Sequence, residues 1–99
     1  MVTQRYKVMA EERKIEKFLV KEVEALGGLC VKFPPIFFRG FPDRIVLLPG
    51  GAIAFAELKA PGEKPTLIQR RVHERLRALG FRVEVLDSKE SVTGFILSL

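Results

Sequence analysis

The sequence has few of the residues that mark disulfide-rich or zinc-binding proteins. Its 99 residues include one cysteine, Cys30, and one histidine, His73. A single cysteine cannot form an internal disulfide, which agrees with a reducing compartment, and we expect Cys30 to be a buried packing residue. With no second His or Cys at ligand spacing, a zinc site is not indicated.

Long apolar runs are also absent, and acidic residues are outnumbered. No run approaches the roughly 20 residues of a membrane span, and the polar start MVTQRYKVMAEERK lacks the apolar core of a secretory signal. We therefore expect a cytoplasmic protein without a membrane partner. The 12 acidic against 17 basic residues give a net charge of +5, which favours a polyanionic partner such as nucleic acid.

The length and the order of predicted elements favour one domain over residues 1–99. Apolar residues at spacings of four, four and three predict a first helix over residues 10–26, which Gly27 and Gly28 end. A second helix over residues 66–79 opens with the capping-box pattern Thr66-Leu67-Ile68-Gln69. Strands are predicted at residues 29–33, 43–48, 52–59 and 81–86, and a short last helix at 88–97. The order is therefore αβββαβα.

Three charged residues lie in the predicted hairpin of the second and third strands. If Leu48 and Ala52 close its turn, Asp43 lies opposite Glu57, and the alternation of a strand puts Lys59 on the same face as Glu57. Opposed like charges are destabilising. The cluster is therefore either a salt bridge at the end of the sheet or a site where two carboxylates hold Mg²⁺ or Mn²⁺, with Lys59 orienting a water molecule or stabilising developing charge.

The residues match a known pattern. Pro42-Asp43 followed by Glu57-Leu58-Lys59 resembles the signature of PD-(D/E)XK nucleases, and the whole chain resembles a minimal VRR-NUC domain of phages and bacteria. The resemblance implies an α/β, restriction-endonuclease-like core with a mixed four-stranded sheet flanked by helices. It also implies metal-dependent hydrolysis of nucleic-acid phosphodiesters. A phage-encoded protein that acts in the host cytoplasm is one expectation.

The resemblance implies which residues form the site. Asp43, Glu57 and Leu58 would hold the metal with a helix glutamate, which is Glu12 or Glu16. Both lie on one side of the first helix, and we prefer Glu12 because it is in line with the buried stripe. Gln69 would either cap its helix or stand near the catalytic Lys59, and the two roles are compatible.

Two further features concern the partners. His73, four residues after Gln69, is expected at the surface or against phosphate. The arginines of QRRVHERLR, with Lys32, Arg39, Arg44 and Lys64, could meet backbone phosphates. Four of the eight phenylalanines fall in residues 33–41 and would either cover the sheet or form a partner surface.

We predict a metal-dependent endonuclease that acts as a homodimer on branched DNA such as a Holliday junction, because resolving a junction takes two symmetry-related cuts. The alternatives are a catalytically inactive DNA-binding module of the same fold, or a nuclease for RNA or for nicked or flapped duplexes.

Overall fold

A computed structural model describes residues 3–99, which form seven elements around one sheet. The elements are α1 (Gln4–Ala25), β1 (Leu29–Lys32), β2 (Arg44–Leu47), β3 (Ile53–Leu58), α2 (Leu67–Ala78), β4 (Arg82–Leu86) and α3 (Lys89–Leu97). The four strands lie in the order β1-β2-β3-β4; β1 and β3 pair antiparallel with β2, and β4 pairs parallel with β3. The predicted order αβββαβα and the mixed sheet are confirmed.

Helix α1 begins six residues before its predicted start. Thr3 caps it, because its Oγ1 accepts a hydrogen bond from the Tyr6 N–H at 3.2 Å. The first buried residue of the helix is Ile15, so the apolar periodicity that reveals a helix in a sequence is missing from the first turns. Only the absence of glycine and proline there hinted at the longer helix.

Helices α1 and α3 cover one face of the sheet. The core on this face joins Ile15, Leu19 and Val23 of α1 and Val92 and Phe95 of α3 to small and branched residues of β2, β3 and β4. Cys30 is half-buried at the edge of this core rather than fully buried, and burial raises the pKa of its thiol to about 11. Within residues 3–99, no helix is both long and apolar enough to cross a bilayer.

Helix α2 packs on the opposite face, against β4. Strand β3 is therefore covered on both sides, and five of its six residues are buried. On the side of α2, the outer strand β1 keeps Leu29 and Val31 exposed. This face of the sheet is thus only partly covered by the described chain.

The hairpin between β2 and β3 has the predicted register. Arg44 pairs with Ala56 and Leu47 with Ile53, and the Leu48 N–H donates to the Ala52 carbonyl at 2.9 Å. One step beyond the Arg44–Ala56 pair, Asp43 comes opposite Glu57. Since Asp43 immediately precedes β2 and Glu57 is the penultimate residue of β3, both carboxyl groups lie at the same end of the sheet.

The segment between β1 and β2 carries the clustered phenylalanines. Phe41 packs against Phe33 and, edge-on, against Phe55 of β3, with ring centroids 4.5 and 5.4 Å apart. Phe37 and Phe38 instead remain exposed. The segment therefore divides between the two roles that the sequence left open, with one part covering the sheet and the other facing outward.

Gly40 permits this segment to lie directly on α2. Its φ of +86° is in the left-handed region, and a Cβ atom there would lie 2.7 Å from Ile68 Cγ2 and 2.9 Å from the Ile68 carbonyl oxygen. A side chain at this position would therefore force α2 away from the segment that leads into Asp43. Gly51 has the same φ of +86°, but a Cβ atom at that position would have no heavy atom within 4 Å.

We predict that Gly40→Ala destabilises the protein far more than Gly51→Ala. Both variants suffer the left-handed backbone cost of about 1–2 kcal/mol, but only Gly40→Ala adds the overpacking of α2, which costs about 1–3 kcal/mol. Denaturant unfolding of both variants measures the difference. Equal losses would show that the contact between the segment and α2 contributes nothing.

Candidate active site

The site is built on the ends of β2 and β3. Asp43 Oδ2 accepts a hydrogen bond from the Leu58 N–H at 2.8 Å, which ties its carboxylate to β3. Glu57 is 1% exposed and is the only acidic side chain among residues 3–99 that is fully buried. Lys59 follows β3 directly, its N–H donating to the Leu86 carbonyl, and its Nζ lies 3.7 Å from Glu57 Oε2. The predicted cluster of two acids and a base is present.

Helix α2 supplies two further contacts to Glu57. Gln69 Nε2 donates to Glu57 Oε2, and His73 Nε2 lies 3.3 Å from Glu57 Oε1. Gln69 also completes the predicted capping box, because its Oε1 accepts from the Thr66 N–H at 2.9 Å while the Gln69 N–H donates to Thr66 Oγ1. The cap and the contact with Glu57 thus use opposite ends of one amide group. The role of Gln69 near Lys59 stays a prediction, although both side chains approach Glu57 Oε2.

The expectation of a surface position for His73 is wrong. The residue is 1% exposed, because α2 packs on the sheet with the side that carries Gln69 and His73 turned inward. Burial, followed by the charges of Arg77 and Lys59, lowers the pKa of His73 from its ordinary value of 6.5. The sequence signal was its spacing of four from Gln69, which puts the two residues on the same side of the helix.

The two helix glutamates have different surroundings. Glu12 and Lys59 line one cleft of about 350 Å³. Glu16 instead lines a separate hollow of about 670 Å³ and accepts a hydrogen bond from Arg44 Nε at 2.8 Å. Glu12 is therefore the helix carboxylate that shares a cleft with Lys59, whereas Glu16 is occupied by an ion pair.

Burial raises the pKa of all three carboxyl groups of the site. Burial, followed by repulsion from Glu57, raises the pKa of Asp43 to about 7. Burial also raises the pKa of Glu57 above its ordinary value of 4.5, although hydrogen bonding with Asp43 and the charge of Lys59 oppose the rise. The pKa of Glu12 is raised by burial and by the charge of Asp43. The three carboxyl groups are therefore unfavourable in their ionised forms unless they share a proton or bind a cation.

A hard divalent cation fits this donor set. Asp43 and Glu57 offer carboxylate oxygens, and Mg²⁺ is commonly held by one or two carboxylates with water in its other positions. Leu58 could contribute only its main-chain carbonyl, because its side chain is apolar and buried. In the described part of the chain, no three His, Cys, Asp or Glu side chains already converge as a complete ligand cage. The donor set suits Mg²⁺ or Mn²⁺ better than zinc.

Two of the arginines predicted as phosphate contacts are engaged within the fold. Arg44 pairs with Glu16 and also donates to the Cys30 carbonyl, and Arg77 donates through Nε and Nη2 to the Val83 carbonyl. The other members of that set, Lys32, Arg39, Lys64, Arg70, Arg71 and Arg75, are exposed. These exposed basic side chains remain available to contact phosphate groups.

A mixed four-stranded sheet with an Asp, a Glu and a Lys at the end of its central hairpin defines a restriction-endonuclease-like nuclease core. A solved structure described as a VRR_NUC domain has the same fold, with a TM-score of 0.82 and 39% sequence identity, covering 88% of this chain and 95% of that one. The "Putative nuclease p44" of Acyrthosiphon pisum secondary endosymbiont phage 1 is 55% identical over 82 residues, or 83% of this chain and 88% of the relative. The chain belongs to the VRR-NUC family of nucleases. No protein-family model matches it.

We predict that, without metal, the free energy of unfolding falls as the pH rises from about 4 to about 7. The Asp43 carboxyl keeps its proton up to about pH 7 in the native state but loses it near 3.8 when unfolded, so the native state binds more protons in this interval. Asp43→Asn cannot ionise and keeps an acceptor for the Leu58 N–H. It should therefore lose the part of the slope that Asp43 contributes, leaving the part due to the raised pKa values of Glu57 and Glu12, and melt higher than the wild type at pH 8 in EDTA.

Each kcal/mol gained should raise the melting temperature by about 4–8 °C in a domain of this size. Asp87→Asn is the control, because Asp87 is the other aspartate of the chain and follows β4 rather than belonging to the hairpin of β2 and β3. Thermal melts of the three proteins across this pH range check the prediction. An Asp43→Asn variant with the wild-type slope would contradict it.

Proposed function

We propose that the protein is a metal-dependent endonuclease that hydrolyses DNA phosphodiester bonds with selectivity for branched DNA such as Holliday junctions. One observation carries the proposal: the buried Glu57 lies opposite Asp43 while Lys59 Nζ stands 3.7 Å from Glu57 Oε2. A fold gains nothing in stability from opposed carboxylates. A catalytic site gains a place for a cation and a positioned base.

In this proposal, Asp43, Glu57 and the Leu58 carbonyl hold Mg²⁺ or Mn²⁺, with Glu12 as the helix carboxylate. The bound cation supplies Lewis-acid stabilisation of the charge on the phosphoryl oxygens. Lys59 orients the attacking water or stabilises the same developing charge through its ammonium group. Gln69 supports Glu57 through the Nε2 hydrogen bond. Glu16 is not assigned to the reaction, because Arg44 occupies its carboxylate.

The cleft next to Lys59 suits a phosphate backbone. Its charged lining consists of the basic Arg5, Lys59 and Lys64 and the acidic Glu12 and Glu63. Basic contacts of this kind position a nucleic acid without reading its sequence. Structure selectivity in place of sequence selectivity is therefore the expected mode of recognition.

We predict that Lys59→Ala removes cleavage but leaves DNA binding nearly intact. One charge among many phosphate contacts matters little to affinity, whereas loss of a group that acts in the transition state costs about 10²–10³-fold in rate. Single-turnover cleavage of labelled branched DNA in Mn²⁺ measures the rate, and binding in Ca²⁺ without cleavage measures the affinity. Wild-type cutting by Lys59→Ala would show that the assigned role is wrong.

Lys64→Ala is the matched control, since Lys64 is another lysine of the same cleft. It should weaken binding and reduce the salt dependence by about one phosphate contact while cleavage at saturating DNA persists. The metal-dependent mechanism would be contradicted if the wild type still cleaved DNA in EDTA, or if it cleaved DNA with none of the divalent ions tested.

A panel of four-way, nicked, flapped and linear DNA, together with an RNA duplex, tests the choice of substrate. A catalytically inactive DNA-binding protein would bind members of this panel without cutting them.

The exposed aromatic segment supports a homodimer as the acting form. Ile36, Phe37 and Phe38 are 84%, 75% and 51% exposed, and Leu29 and Val31 leave the same side of β1 uncovered by α2. Large exposed apolar patches mark contacts with other molecules. One copy provides one Asp–Glu–Lys site, whereas resolving a junction takes two cuts in symmetry-related strands. A two-fold dimer supplies both sites at once.

We predict that the protein sediments as a dimer at micromolar concentration and linearises a supercoiled cruciform by paired incisions. Replacing both Phe37 and Phe38 with serine should give a monomer that only nicks the cruciform, because the exposed rings no longer gain from burial. Tyr6→Ser is the control for loss of an exposed aromatic elsewhere, on α1. A wild-type monomer would refute the dimer and leave the chemistry of the hairpin untouched.

A further inference from the structure

His73 is a buried ionisable side chain to which the mechanism above gives no task. Its side chain is 2% exposed, and its Nε2 lies 3.3 Å from Oε1 of Glu57, which is itself buried. Desolvating a polar ring costs free energy unless its nitrogen finds a partner, so a helix that needed only packing would carry an apolar residue here. The contact with Glu57 is therefore the feature that calls for an explanation.

Each oxygen of the Glu57 carboxylate has one partner on α2. His73 meets Oε1 and Gln69 Nε2 donates to Oε2, and the two residues are one helical turn apart on the same side of α2. The terminal torsion of a glutamate is otherwise broad. Two partners on a rigid helix leave the carboxylate one orientation, while β3 is fixed by its pairing with β2 and β4.

The chemistry of the two groups fixes the direction of the contact. A carboxylate oxygen only accepts hydrogen bonds, so the ring must carry a proton on Nε2 to bond to Glu57 Oε1. In that arrangement His73 and Gln69 both donate to Glu57, one to each carboxylate oxygen.

We propose that His73 is a positioning residue for the nuclease reaction, which orients the Glu57 carboxylate toward the cation jointly with Gln69. The inference rests on the proposed function, since it takes Glu57 as a metal ligand. Hydrogen-bonding partners of metal-binding carboxylates commonly alter metal affinity by 10- to 100-fold when they are removed. His73 acts through Glu57 and does not itself contact the cation or the DNA.

The test compares His73→Leu with His73→Gln. Leucine fills the buried space without a donor, whereas the amide nitrogen of glutamine can take the place of Nε2. Calorimetric titration with Mn²⁺ alone should give an affinity about 10- to 100-fold weaker for His73→Leu and close to wild type for His73→Gln. Single-turnover cleavage should follow the same order at limiting Mn²⁺, with little change in the affinity for DNA.

Leu76→Ala separates this effect from damage to the helix. Leu76 is half-buried on α2 and lines a cavity of about 150 Å³ with Phe38 and Phe41, away from Glu57. The variant should lower the melting temperature and keep the wild-type affinity for Mn²⁺. An equal loss of Mn²⁺ affinity in Leu76→Ala and His73→Leu would overturn the proposal, and so would wild-type affinity in His73→Leu.

A second measurement needs no variant, which guards against a His73→Leu protein that fails to fold. Because His73 is the only histidine, its ring nitrogens give a unique pair of signals in a ¹⁵N-resolved NMR spectrum. Nε2 should carry a proton, and its signal should move on titration with Mg²⁺ as Glu57 takes up the cation. A ring protonated on Nδ1 alone, or signals unchanged by saturating Mg²⁺, would overturn the proposal.

The two levels of inference fail differently. If the wild-type protein neither binds Mn²⁺ nor cleaves DNA, the proposed function itself is wrong. If the wild type binds and cleaves but the His73 variants match it, only the role of His73 is wrong.

Discussion

The arrangement of the candidate active site depends on one unfavourable interaction, the repulsion between the opposed carboxyl groups of Asp43 and Glu57. The antiparallel register of β2 and β3 brings them together, and burial of Glu57 removes the water that would screen their repulsion. The surrounding groups offset this cost in part. The Leu58 N–H holds Asp43, and Lys59 with two residues of α2 holds Glu57. Burial and repulsion from Glu57 nevertheless raise the pKa of Asp43 to about 7, so its ionised form is disfavoured without a bound cation.

Helix α2 connects this compensation to the rest of the fold. The Gln69 amide has two different ends, and the structure uses its oxygen for the helix cap and its nitrogen for Glu57. A glutamate could cap α2 equally well, but it would bring another negative charge to the site. The choice of glutamine at this position is thus explained by the site rather than by the helix alone.

The position of α2 depends in turn on the segment that precedes Asp43. Gly40 lets that segment approach Ile68, and Phe41 bridges to Phe55 on β3. The segment therefore orders both the helix that holds Glu57 and the strand that begins after Asp43. Its outer residues, Phe37 and Phe38, extend past this packing into solvent, so the same short stretch serves the interior of the site and the exposed apolar surface.

Local rules in the sequence were sufficient for the framework and for the pairing of the charges. Glycines followed the ends of α1 and α2, the capping box marked the start of α2, and a three-residue turn determined which side chains of the hairpin lie opposite. Each of these features depends on residues a few positions apart, whose backbone preferences do not require knowledge of the rest of the chain. The Asp43, Glu57 and Lys59 cluster could therefore be predicted with its register.

Contacts between elements distant in sequence decided which of the other polar residues belong to the site. Glu12 and Glu16 are one helical turn apart, and periodicity gave no more than a preference for Glu12. The packing of α1 on the sheet paired Glu16 with Arg44 and left Glu12 in the cleft with Lys59. His73 looked like one more polar residue of a basic helix until the docking of α2 buried it against Glu57. Which polar side chain is exposed depends on how two elements pack, because burial is a property of the assembled surfaces and not of the local sequence.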